Sequence, residues 1–177
     1  MVNNIHIEPF SLQNLLDVST IDAVTTDEAE KTAAFHALCI QLGLPLISAP
    51  LSEALIPQSV NLDLVGGVSF KKGCYPGQEI VARVRYRGKP KQRMIRAIGE
   101  HAGCPEPGTP VRVETATSGR DGVVICAEAA ATPGGMQLLA AVPIEVIASP
   151  ESGSLFWKDI PLTVSPLPYP ILTDALG

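Results

Sequence analysis

From Gln92 onward the chain is a series of short apolar runs parted by glycine and proline clusters, and that spacing leaves few folds open. The runs cover residues 92–100, 109–115, 121–129, 136–147 and 154–164. The breaks fall at Gly103–Pro110, Ser118–Gly122 and Pro133–Gly135. Runs of this length bounded by turn residues predict strands, and five or six of them predict a small antiparallel barrel. Trp157 and Phe156 are expected in the barrel core, or as a seal against the part that precedes it. The tail, Pro161 to Pro170, holds four prolines and is expected to wrap as an extended segment, an edge strand at most.

The first half carries helix signals instead. Ser11 is placed to cap a short helix bearing Leu12, Leu15 and Leu16. Thr25 and Glu28 have capping-box spacing, and Asp27, Glu28 and Glu30 would enrich the first turn in acid. Phe35, Leu38, Cys39 and Leu42 follow at i, i+3, i+4, i+7, with His36 off that stripe. Gly43 and Pro45 supply a stop, so the spacing predicts a helix over 27–42. Residues 44–69 read as connecting structure, with Asn61 and Asp63 satisfying local backbone groups. Arg87-Gly88-Lys89-Pro90 marks a loop and a boundary between 1–90 and 91–177.

Lys71-Lys72-Gly73-Cys74-Tyr75-Pro76-Gly77-Gln78-Glu79 is the densest run of special-purpose residues. Tyr75-Pro76-Gly77-Gln78 fits a type II turn, because proline presets φ and glycine takes the positive φ that follows. A turn with a small buried cysteine explains Pro76 and Gly77 but not the crowding of Lys, Cys, Gln and Glu around them. Ile80 to Tyr86 alternates and is β-branched, which predicts a strand with Arg83, Arg85 and Arg87 on one face. Residues 71–96 hold nine of the 13 Lys and Arg, with Glu79 their only acid, so this block is near +8 inside a chain of net charge −5. Such a block faces either solvent, as the charged face of a strand, or an anionic partner.

Other classes are disfavoured. The uncharged run Ala37–Ser52 is broken by Gly43, Pro45 and Pro50, so no membrane-spanning helix is expected. Met1 to Phe10 lacks the basic and apolar blocks of a secretory leader, and a cytoplasmic protein is the expectation. Cys39, Cys74, Cys104 and Cys126 are widely spaced, without a CxxC or zinc-ligand pattern, so no metal site is assigned and reduced thiols are expected.

Asn61-Leu62-Asp63, Gly66-Gly67-Val68-Ser69-Phe70, Lys72-Gly73-Cys74-Tyr75 and Gly77-Gln78-Glu79 followed by Ile80-Val81-Ala82-Arg83 resemble the YgfZ-like folate-binding family. That family belongs to the larger group of the glycine-cleavage T-protein, an aminomethyltransferase. The likeness is continuous from Ile56-Pro57-Gln58 to Arg87-Gly88. It implies an α+β chain: a partial α/β folate-binding domain over 1–90, then a small antiparallel β-barrel over 91–177. Together these would form the C-terminal part of the T-protein-like fold, N-terminally shortened. The resemblance implies tetrahydrofolate or a derivative as cofactor, with Lys72, Gly73, Tyr75, Gln78, Glu79, Arg83 and Arg85 around it. Cys74 would be the working thiol, its thiolate favoured by Lys71 and Lys72.

The function so implied is an accessory protein for assembly or repair of iron–sulphur enzymes, including those that modify tRNA. Its partners would be folate, iron–sulphur proteins, and tRNA or another polyanion. Two other functions stay open. An aminomethyltransferase-type folate enzyme would need a carboxylate, and Glu79, the only one near the motif, is read as structural, so a classical enzyme ranks lower. Direct nucleic-acid binding through 71–96 has the cations but only Tyr75 and Tyr86 as interleaved aromatics. A shortened domain would expose apolar surface, which favours a homodimer.

Overall fold

Six strands close on themselves into an antiparallel barrel: β1 (Gln92–Glu100), β2 (Pro110–Thr115), β3 (Gly122–Ala129), β4 (Gly135–Pro143), β5 (Gly153–Trp157) and β6 (Ile160–Ser165). Around the barrel the order is β1-β4-β3-β2-β5-β6. The computed structural model describes residues 27–72, 78–115, 120–148 and 153–171. The Ser11 helix, the Thr25 half of the capping box and the Gly73–Gly77 turn, with Cys74 and Tyr75, lie outside the described residues. Three helices accompany the barrel among the described residues: α1 (Glu28–Leu42), α2 (Glu79–Arg87) and the short α3 (Ile144–Ala148).

The barrel has a core on each side of its wall. Ile95, Ala97, Val111, Val124, Leu138, Ala140, Val142 and Trp157 are buried in its interior cluster. Met94, Ile125, Cys126, Leu139 and Ala141 point the other way and join Ile40, Leu51 and Val60 in a second cluster. β4 explains why its sequence does not alternate: with both faces covered, Met136 through Pro143 are all buried, and apolar residues are tolerated at every position.

The strand forecast holds with two revisions. The run 136–147 stops being strand at Pro143, whose partner Gln92 is the first residue of β1, and Ile144 donates its N–H to Lys91 O (3.1 Å) as α3 begins. The run 154–164 is two strands, folded at Lys158-Asp159, where Lys158 has φ 55° and Trp157 pairs with Ile160. The tail is more than a wrap. β6 pairs with β5 and with β1 at Arg96–Ile98, and it closes the ring with Pro161 inside it.

α1 runs as expected, but its cap and face differ. Asp27 is the N-cap, accepting from Ala29 N–H at 2.9 Å. Gly43 takes φ 65° and its neighbour Leu44 donates to Cys39 O (2.9 Å), the paired C-terminal bonds that only a left-handed residue permits. The buried stripe is turned by one residue. Cys39 and Ile40 are buried with Leu42, whereas Phe35 is 49% exposed and His36 faces β3, its Nδ1 3.7 Å from Glu128 Oε2.

The largest correction is at 79–87, which is helix, not strand. Seven alternating residues fit a strand by period, yet Gln78, Val81, Ala82 and Arg85 are the half-buried positions, at i, i+3, i+4, i+7. Glu79 in the first turn and Arg85 and Arg87 in the last match the helix dipole at both ends.

Candidate functional site

The segment before the signature is fastened to the barrel by side chains, and this sets where α2 sits. Pro57 starts a 3-10 turn over Pro57–Val60, and Asn61 ends it at φ 60°, ψ 16°. A left-handed asparagine is tolerated because its short amide bonds locally; here it bonds to a strand instead. Asn61 Nδ2 donates to Met94 O (2.7 Å) and Met94 N–H donates to Asn61 Oδ1 (3.2 Å), so one side chain imitates a strand partner for β1. Two residues on, Asp63 takes both arms of Arg93: Nη1 to Oδ1 at 2.6 Å and Nη2 to Oδ2 at 3.1 Å. Both side chains are 3% exposed. Arg93 Nη1 also donates to Gln58 O at 2.9 Å, and Gln58 Nε2 donates to Val81 O at 2.7 Å. A polar chain therefore runs from β1 through the 3-10 turn into the middle of α2.

Asn61 and Asp63 thus do not serve local backbone groups, as their sequence context suggests; they hold β1. Arg93 is likewise not part of a solvated cationic face. Its position has the parity of Ile95 and Ala97, both buried inside the barrel, and an arginine there requires an anionic partner. That parity was the sequence signal for the pair.

The predicted site residues fall into two groups. Gly73, Cys74 and Tyr75 lie outside the described residues. Lys72, exposed beside Lys71, leads toward them, and Gln78, Glu79, Arg83 and Arg85 follow on α2. Arg83 and Arg85 do not share a face, as the strand reading required. At 100° per residue they are 200° apart on the helix. Arg85 lies over the Phe70 ring, 5.0 Å from its centroid, and Tyr86 meets the same ring edge-on at 6.4 Å. Arg83 and Arg87, one turn apart, are exposed beside Tyr86, which is 68% exposed. This outer face, with Lys71 and Lys72, is a cationic surface whose two aromatic rings anchor it from below. Its chemistry suits carboxylate or phosphate oxygens.

Among the described residues no group of three or more His, Cys, Asp and Glu could hold a metal ion. Burial pushes the Cys39 and Cys104 thiols up and takes Cys126 to about 11, so these three are kept protonated at neutral pH. No helix among the described residues is long and apolar enough to cross a membrane.

No family model matches the chain. It is similar to curated proteins named "tRNA-modifying protein YgfZ". With that of Edwardsiella ictaluri it shares 36% identity over 141 residues, 78% of this chain and 42% of the relative. With that of Cronobacter sakazakii it shares 41% over 97 residues, 54% and 30% of the two chains, and with that of an Enterobacter species 40% over 117 residues, 63% and 36%. The matched stretches therefore span less than half the length of these relatives. A match over 78% of the chain necessarily includes residues 56–88, where the Gln58–Asn61–Asp63 clamp and α2 stand. Shared identity across that clamp and the barrel it grips makes the chain a member of the YgfZ-like family.

Proposed function

We propose that this chain contributes to tRNA modification as a folate-binding accessory of iron–sulphur enzymes, through the surface formed by Lys72, the signature turn and α2. What supports this reading is the clamp: Gln58, Asn61, Asp63 and Arg93 fix α2 to the barrel, so that exposed Lys71, Lys72, Arg83 and Arg87 are offered from a rigid base. The printed name of the relatives supplies the link to tRNA modification, and the family resemblance supplies tetrahydrofolate and the iron–sulphur partners. In this reading the fold is the C-terminal part of a T-protein-like fold. The pteridine lies near Gly73, Tyr75 and Gln78, and the glutamate tail meets Arg83. Arg85 acts through its stack on Phe70, holding the helix end. Cys74 is the working thiol.

Calorimetric titration with tetrahydrofolate tests it. Saturable binding that weakens in Arg83→Ala supports the reading, and absence of binding overturns it for this chain. In cells lacking the full-length protein, the corresponding longer chain with Cys74→Ser should fail to restore function; normal restoration removes the thiol role.

A second reading has its own observation. Arg83, Tyr86 and Arg87 form one exposed helical face of two cations and an aromatic ring, which suits direct contact with RNA phosphates and a base. Its mark would be tRNA binding that falls steeply with salt, by about one unit of log–log slope per phosphate contacted.

A further inference from the structure

A second concavity lies away from α2, between α1, residues 46–48, the loop before β2 and the outer face of β3. It has a volume of about 400 Å³, inside the ~300–1,000 Å³ range of small-molecule sites. A β-bulge builds its floor. Val124 pairs with Ala140 and Cys126 with Leu139, so Ile125 is an extra residue in β3. The bulge turns two consecutive side chains, Ile125 and Cys126, to the same outer face, where both join the cluster outside the barrel. Both line the concavity, with Cys104 across from them.

The polar groups around this apolar floor share one character. Ser48, in the wall, has a buried Oγ with no hydrogen-bond partner. Glu106 lines the rim, and Glu128 reaches His36, itself a lining residue, at 3.7 Å. Burial, and after it the Glu128 carboxylate, pushes the Cys104 thiol up; burial takes Cys126 to about 11. Both thiols are therefore neutral at neutral pH. No lysine or arginine lines the concavity. The result is an apolar floor, an orphan hydroxyl and two carboxylates without a fixed cation beside them.

We propose that this concavity binds a small organic cation, a compact apolar body carrying an ammonium or amidinium group. The body would rest on Ile125 and Cys126, and the cationic head would donate to Ser48 Oγ and the carboxylates. This is chemistry opposite to that of the α2 surface, which suits anions.

The test is an NMR titration of the amide signals of this chain with benzamidine, and with benzoate as the charge-reversed analogue of similar shape. Expected are saturable shifts at Ser48, Ile125 and Cys126 with benzamidine, and binding of benzoate weaker by about tenfold or more. Glu106→Gln with Glu128→Gln, both on partly or fully exposed side chains, should weaken benzamidine by about tenfold. Equal binding of the two probes, unchanged affinity in the double variant, or no saturable shift overturns the proposal. Because tetrahydrofolate would bind on α2, failure here leaves the folate titration unaffected.

Discussion

Replacing Asp63 by alanine removes the only carboxylate that Arg93 touches and leaves a buried cation behind. In the native chain the guanidinium has two bonds to Asp63 and one to Gln58 O, with both side chains 3% exposed, and its Nε already lacks a partner. After Asp63→Ala one acceptor remains for the whole fork. Breaking a buried pair from one side costs about 3–5 kcal/mol, and this geometry places the loss near 4, roughly a thousandfold in the folding constant. The double variant Arg93→Met/Asp63→Leu removes the charge altogether and orphans only Gln58 O, at about 1–3 kcal/mol. The second substitution should therefore restore about 2 kcal/mol to the first, a coupling only the pair can produce. Urea denaturation followed by Trp157, the sole tryptophan, measures all three chains. Hydrogen exchange should show α2 opening more readily in Asp63→Ala, since Gln58 carries the restraint to Val81. A loss under about 1 kcal/mol in the single variant, or a double variant worse than the single, would refute the claim that the ion pair is buried and uncompensated.

Other outcomes follow from the same geometry. Gly43→Ala should cost about 2–4 kcal/mol by thermal melting, because a Cβ there meets Tyr169 Oη at 2.6 Å and the residue must also keep φ 65°. Tyr169→Phe should cost about 1–2 kcal/mol, since its hydroxyl donates to Gly43 O at 2.6 Å. Burial pushes the Tyr169 phenol up to about 12 from 10, so its protonated form is the one the fold favours. That contribution is intact below pH 10 and disappears as pH rises through 12, so alkaline unfolding of the native chain and Tyr169→Phe should converge over that window. Native-state alkylation at pH 8 should label neither Cys39 nor Cys126, whereas unfolded chain takes the label at both; mass spectrometry of the peptides distinguishes the two.

The barrel was legible because its strands are short and its turns are chemically marked. Four of the runs fell within a residue or two of β1, β2, β3 and the start of β4. Lys158-Asp159 was hidden because two polar residues without glycine or proline are a weak turn signal, and Lys158 adopts its left-handed φ under the pull of strand pairing. α2 was misread for a physical reason. Val81 and Val84 have strand propensity, but tertiary contacts, Gln58 to Val81 O among them, outweigh propensities of a few tenths of a kcal/mol per residue. Of the candidate site, Asn61 and Asp63 were recognised as a motif, but their work could not be read locally. Their partners Met94 and Arg93 lie about thirty residues away, and no local pattern reports a bond across that distance.

The seam between β1 and β6 has a consequence for synthesis. β1 is among the first strands of the barrel to leave the ribosome, yet its partner on one side, Ser165 opposite Arg96, emerges 69 residues later (165 − 96). Until then the ring is an open sheet with two unpaired edges, the form most prone to join a neighbouring chain. Only three residue pairs then shut it, and Tyr169, just beyond, reaches back to Gly43 at the end of α1. The last described turn of the chain thus acts as a clasp on the earliest described helix. Nascent chains stopped a few residues short of it should be sticky and protease-sensitive, while those a few residues longer should not.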